Sequence, residues 1–251
     1  MILLTTLYRM KKNERFDEVR KILKANIDNP SFKNIFIFFE NFNKNDADYD
    51  FLKNIKVIII DVSARQTYKQ MVKFANDNLI EETIVISNTD ILFDKTITRA
   101  YEMELCDKKI LALTRWTPEK DDSNVFKLEL QTNRTVAWSF DTYIFKSPIS
   151  IDLPSIDIKV GVGGCDTLLI KRLETDNNFT VLNPCIDIRT YHIDKQDRFR
   201  KDSFNNTDNH YMHLPDYPRG THSKKATTTD GHLQYLSNTM RITFDYHKIL
   251  N

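Results

Sequence analysis

Short apolar runs recur along the first 115 residues, separated by stretches with helical periodicity. The runs are "ILLTTLY" from Ile2, "NIFIFFE" from Asn34, "IKVIIID" from Ile55, "TIVISNTD" from Thr83 and "KILALTR" from Lys109. Each is rich in β-branched, leucine or aromatic residues, and several are continuously apolar, which predicts strands buried on both faces of a parallel sheet. Between them, Phe16, Val19, Ile22, Leu23 and Ile27 fall on one helical face, with Asn13 placed to cap it. Tyr68, Met71, Val72, Ala75 and Leu79 form a second stripe, preceded by Ser63 and Gln66 at capping-box spacing. A third helix is predicted from Lys95 to about Leu105, capped by Asp94. Strand alternating with helix implies an α/β fold with an open, mostly parallel sheet flanked by helices.

The rhythm changes after Arg115. "VFKLELQ" and "TVAWSFDTYIFK" read as antiparallel or edge strands, "GVGGCDTLLIKRLE" as a glycine-bearing loop entering a helix, and "TVLNPCIDIRTYHID" as a further strand region. From about Asp197 the chain is polar and irregular, with one short strand predicted in "MRITFDY". No internal repeat is visible.

Composition narrows the picture. In 251 residues, 36 basic and 35 acidic side chains leave a net charge of +1, so no global field steers nucleic acid or a membrane surface toward the protein. Cys106, Cys165 and Cys185 show no C-x-x-C spacing, which argues against a zinc knuckle or a disulfide scaffold and for reduced thiols. The apolar N-terminal stretch is too short for a signal peptide, and its charges follow rather than precede it. No run approaches the roughly 20 apolar residues of a membrane helix. The expectation is a cytoplasmic protein with no transmembrane segment and no nucleic-acid partner.

Ligands of open α/β sheets bind beyond the carboxyl ends of the strands. The polar residues ending the predicted strands are Thr5, Thr6, Tyr8 and Arg9; Glu40; Asp61; Asn88, Thr89 and Asp90; and Arg115. Hydroxyls, carboxylates, an amide and two guanidinium groups on one rim suit a ligand with a base, a ribose and phosphates. No P-loop and no G-x-G-x-x-G follows the first strand. A divalent ion is then the natural phosphate neutraliser. Asp90 is a hard oxygen donor of the kind Mn²⁺ or Mg²⁺ prefers, and His192, which also ends a strand-like run, is the candidate nitrogen partner.

"ISNTDILFD" resembles the D-x-D region of GT-A fold glycosyltransferases. Around it, "ARQTYKQMVKFAN", "ALTRW", "SFDTYIFKSPI", "GVGGCD" and "NPCIDIRTYHID" follow in an order similar to that of small bacterial and giant-virus members. The resemblance spans about residues 1–195. It implies a GT-A (Rossmann-like) domain, with a nucleotide-sugar-binding half at 1–115 and an acceptor and catalytic half at 116–195. It also implies a smaller antiparallel part, and an irregular C-terminal extension, 196–251, packing on the same domain. A UDP- or GDP-sugar donor would lie over the carboxyl edge, with a divalent ion held by Asp90 and His192. The acceptor would be a glycan hydroxyl, lipid-linked, protein-linked or otherwise. The first acid of D-x-D is Asn88 here, a neutral ligand that can instead meet ribose or a metal-bound water. Asp166 resembles the catalytic acid of inverting members, and Asp141 is the second candidate base. Arg65 or Arg115 would stabilise the leaving diphosphate.

Plainer roles compete for the same residues. Asp166 can cap a helix, Asp90 can form a turn, and His192 can be a surface histidine. Tyr8 can stack on a base or finish a core strand; Trp116 and Trp138 can be sugar platforms or packing. Two rival functions remain: a sugar nucleotidyltransferase, whose expected glycine-rich loop is missing from "TTLYRMKKNERF", and a non-catalytic nucleotide- or carbohydrate-binding module.

Overall fold

The computed structural model describes residues 1–11, 13–118, 125–128, 139–193 and 241–243. Trp138 and most of the proposed C-terminal extension, 196–251, lie outside the described residues.

The main sheet has seven strands. Three come from the first apolar runs: β1 (Ile2–Tyr8), β2 (Asn34–Glu40) and β3 (Val57–Val62). β4 (Thr83–Ser87) follows, then β5 (Ile91–Phe93), which belongs to a second sheet. β6 (Lys109–Thr114) returns to the main sheet. β7 (Trp116–Pro118) and β8 (Val125–Leu128) lie in the second sheet, and β9 (Phe140–Lys146) re-enters the first. β10 (Thr180–Leu182) closes the main sheet, and β11 (Thr190–His192) and β12 (Arg241–Thr243) complete the second.

The order of the main sheet is β10-β6-β9-β4-β1-β2-β3. All its pairings are parallel except those of β9, which runs antiparallel between β4 and β6. The five-stranded sheet, β12-β8-β7-β11-β5, is mainly antiparallel, with one parallel contact between β7 and β11. An open, mostly parallel α/β sheet with a smaller antiparallel part is the architecture expected.

Alternation along the strands sorts side chains onto two cores. Ile2, Leu4, Ile84, Ile86, Tyr143 and Phe145 face one way. There they meet α2 (Tyr68–Asn78) through Tyr68, Met71, Val72 and Ala75, and α3 (Cys165–Lys171) through Leu169 and Ile170. Leu3, Leu7, Ile35, Ile37, Val85 and Ile144 face the other way, against Phe16, Val19, Leu23 and Ile27 of α1 (Glu14–Asp28). Each such buried side chain contributes about 1.5–3 kcal/mol of transfer free energy.

Local signals explain the helix starts. Asn13 caps α1 by accepting from Phe16 N–H at 3.1 Å. The capping box of α2 is Thr67 with Gln70, not Ser63 with Gln66. Gln66 is buried and turns back to donate to Ala64 O at 3.0 Å, so the helix begins one turn later. The predicted helix after Asp94 is a 3₁₀ helix, Lys95–Tyr101, with Asp94 accepting from Thr96 N–H. β3 departs from the expectation of double burial because it is the sheet's edge: Ile58 is exposed there, as is Ile55 just before it.

One helix fixes the start of the second sheet. Asn26, buried on α1, donates to Ile91 O at 2.8 Å and accepts from Phe93 N–H at 3.1 Å. Asn29 donates to Phe93 O at 3.1 Å. β5 is thereby tied to α1 through side-chain amides. Among the described residues no helix is long and apolar enough to cross a membrane.

Candidate active site

Parallel strands deliver their carboxyl ends to one rim, and the inverted β9 delivers its amino end to the same rim. The β4–β9 register pairs Ser87 with Thr142, which sets Asn88 beside Asp141. Asn88 N–H donates to Asp141 O at 3.1 Å, and Asn88 Nδ2 donates to Asp141 Oδ1 at 2.6 Å. Arg115, just past β6, donates through Nη1 to Asp141 Oδ2 at 2.9 Å. Both oxygens of Asp141 are thus engaged. Burial pushes the Asp141 carboxyl up; Arg115 and His192 pull it down, and Asp90 and Asp166 push it up again.

The β5–β11 register pairs Ile91 with His192, so His192 lies next to Asp90. His192 Nε2 and Asp90 Oδ2 are 3.2 Å apart. Tyr191 donates to Asp94 Oδ2 at 3.0 Å, which ties β11 to the same segment. Burial pushes Asp90 up, but His192, Arg15 and Arg115 outweigh it and hold the carboxyl well below the usual range. Asp90 stands in the turn between β4 and β5, where the Arg15 guanidinium and the His192 imidazole both address its carboxylate, and His192 is buried rather than a surface histidine.

Asp166 lies in the first turn of α3, but it does not cap the helix. The cap is Gly164, in the left-handed region at φ 76° with no side-chain bond. Asp166 Oδ2 instead accepts from Phe140 N–H at 3.0 Å, at the start of β9, and Oδ1 accepts from Thr167 Oγ1 at 3.2 Å. The carboxylate thus sits beside the strand end that carries Asp141, and Asp141 feels both Asp90 and Asp166. In the glycine loop before it, Gly161 has φ 71°, and a Cβ there would come 3.7 Å from Asn88 Oδ1.

A second group gathers at the ends of β1 and β2 and just after β3. Thr6, Leu7, Tyr8, Phe38, Glu40, Ala64, Arg65 and Gln66 line a shallow, open surface groove. Tyr8 is half exposed there. Three of the rim residues read from sequence, Thr6, Tyr8 and Glu40, share this groove with Arg65, the other candidate for the diphosphate.

Others are placed elsewhere. Thr5 is buried, donating to Ser87 O at 2.8 Å, and supports the rim from beneath. Thr89 bonds back to Thr6 O through its hydroxyl. Arg9 pairs with Asp46 at 3.1 Å. Asp61, on the edge strand, accepts from Phe42 N–H at 2.9 Å. Trp116 is fully buried with Nε1 donating to Cys185 O at 2.8 Å, so it packs the core and is no sugar platform. The buried Cys165 thiol is pushed up to about 12, by burial first and then by Asp166, which removes it as a nucleophile.

One rim residue escaped the strand-end census. Arg15, in the first turn of α1, donates through Nη2 to Asp90 Oδ2. In the sequence it reads as one more polar position of an amphipathic helix; its only signal is the cluster of basic residues just after β1.

Asp90 and His192 fit a divalent cation as a two-ligand seat. A hard carboxylate and a borderline imidazole nitrogen converge, both shielded from solvent, and Mg²⁺ or Mn²⁺ ordinarily completes such a seat with water and ligand phosphates. Among the described residues no group of three or more metal-binding side chains occurs, so phosphate oxygens would have to supply the rest.

No family model matches the sequence, and no curated protein matches it. Solved structures with similar folds include the apo-form glycosyltransferase GlyE of Streptococcus pneumoniae TIGR4, 10% identical over 71% of this chain, with a TM-score of 0.40. The galactosyltransferase LgtC, in complex with donor and acceptor sugar analogues, is 10% identical over 58% of this chain, at 0.35. A cytidylyltransferase from Leptospira borgpetersenii is 14% identical over 72% of this chain, at 0.41. The chain spans 44% of GlyE and 58% of LgtC, against 74% of the cytidylyltransferase. Scores this low leave the functional reading to rest on the residues of this chain.

Proposed function

We propose that the chain is a GT-A-type glycosyltransferase that moves a sugar from a UDP- or GDP-sugar to a hydroxyl of a glycan or glycoconjugate, with residues 1–195 as the transferase domain. The observation that carries the reading is the convergence, at one sheet edge, of the Asp90–His192 pair, the Asp141–Arg115 pair and Asp166. A shallow groove lined by Thr6, Tyr8, Glu40 and Arg65 lies at the same edge of the sheet.

Thr6, Tyr8, Glu40 and Arg65 would hold the nucleoside, with Tyr8 stacking on the base. Asp90 and His192 would hold Mn²⁺ or Mg²⁺, which when bound supplies charge neutralisation at the diphosphate. Arg115 adds positive charge where the leaving diphosphate gains negative charge. Asp166 is the better base of the two candidates. Asp141 is buried and held in an ion pair with Arg115 besides a bond from Asn88, so it positions those two side chains, whereas Asp166 is only partly buried and accepts from two uncharged donors, Phe140 N–H and Thr167 Oγ1. Asp166 would take the proton of the acceptor hydroxyl as its oxygen bonds the sugar carbon and the carbon–phosphate-oxygen bond breaks. This assigns an inverting outcome.

A thermal-shift panel of UDP, GDP and their sugars, with and without Mn²⁺, tests the reading. A nucleotide at 100 times its Kd should add about 2.7 kcal/mol of stability. No shift with any nucleotide refutes it. The rival sugar nucleotidyltransferase draws support from Arg15 beside the rim; pyrophosphate release from a nucleoside triphosphate and a sugar 1-phosphate would favour it.

A further inference from the structure

Arg15 and His192 address the same oxygen. Asp90 Oδ2 receives the Arg15 Nη2 hydrogen bond and faces His192 Nε2 at 3.2 Å. The other guanidinium nitrogen, Nη1, lies 3.5 Å from Glu18 Oε2, one turn along α1. The guanidinium therefore spans two carboxylates, one on its own helix and one at the proposed cation seat. It is held at that place because Asn26 and Asn29 tie α1 to β5, the strand that begins next to Asp90.

A guanidinium on these lone pairs competes with a divalent ion twice over. It occupies a coordination position, and it repels a second positive charge at close range. The same planar fork also suits phosphate oxygens, which it binds in bidentate fashion. We propose that Arg15 is a resident counter-cation that gates the seat. In the free protein it holds Asp90 and disfavours a divalent ion. On nucleotide binding it transfers to the diphosphate and releases the Asp90 lone pairs, while Glu18 keeps the guanidinium at the rim. The proposal rests on the nucleotide reading above and deepens it by fixing the order of binding: nucleotide before the ion, or together with it.

The test is Mn²⁺ binding, read from the electron paramagnetic resonance of the free ion, with no nucleotide and with saturating UDP or GDP. Wild type should bind Mn²⁺ weakly alone and roughly tenfold or more tightly with nucleotide. R15Q should bind Mn²⁺ alone roughly tenfold more tightly than wild type and lose most of the nucleotide-dependent gain. R15K keeps the charge and should stay weak. Folded R15Q with no gain in affinity for Mn²⁺ alone overturns the proposal. So does a wild type whose Mn²⁺ affinity is the same with and without bound nucleotide, a result that needs no variant. A wild type that binds neither UDP nor GDP overturns the nucleotide reading itself.

Discussion

Replacing Arg115 with Met removes the cation from a shielded ion pair and leaves Asp141 behind. The two side chains are 19% and 10% exposed, and the Nη1–Oδ2 separation is 2.9 Å. Breaking a buried pair from one side costs about 3–5 kcal/mol, whereas a surface pair is worth about 0–1. The shielding places this pair near the upper class, but Asn88 still donates to the carboxylate, so about 2–4 kcal/mol is expected. For a chain this size that lowers the Tm by roughly 5–15 °C. The cost depends on pH in a definite sense. Burial already raises Asp141 above the 3.8 of an ordinary aspartate, so its contribution favours folding in acid and is lost as pH rises through the folded-state pKa. Without Arg115 that pKa rises further. The penalty of R115M is therefore small in acid, where Asp141 is protonated in both proteins, and grows toward neutral and alkaline pH. Urea denaturation of wild type, R115M and R115M/D141N from pH 4 to 8 measures it, and the double variant should recover part of the loss because no unpaired charge remains. A penalty that is flat across that range, or a double variant less stable than R115M, refutes the argument.

Two further outcomes follow from the same geometry. Asn26→Leu strands Ile91 O and Phe93 N–H in a buried setting, so it should cost about 2–4 kcal/mol by urea denaturation. It should also weaken nucleotide-dependent Mn²⁺ binding, because Asp90 adjoins the freed strand. Asp166→Asn should lower kcat by about 10²–10⁴-fold, with donor binding, followed by calorimetry, largely kept; equal losses in both would mark Asp166 as a binding group.

The strands and the stripes of α1 and α2 were legible because burial imposes periods of two and of 3.6 on the residues that create it. Asn13 and Asp94 were legible as caps because capping is a contact within a few residues. The α2 cap was misplaced because Ser63 and Gln66 have the right spacing while only backbone bonding decides where the turn starts. At the rim, residues 88, 90, 115, 141, 166 and 192 could be picked out as strand-end or loop polar groups. Their pairings could not. The contacts of Asp141 with Asn88 and Arg115 depend on β9 lying antiparallel between β4 and β6, which no local pattern encodes. Thr5 stands near a strand end, yet alternation turns it into the core. Arg15 carries no such signal, because a charged residue in the first turn of an amphipathic helix ordinarily faces solvent.

Arg15 and Asn26 stand about three full turns apart on α1, so both project along one stripe of the helix. That stripe is what grips the segment from Asp90 to Phe93. Turning the cylinder by a single residue would swing both grips away together, by about 100°. In the free protein its azimuth is thus latched at two points, across the sheet from α3, where the loop carrying Gly161 and Gly164 leads into Asp166.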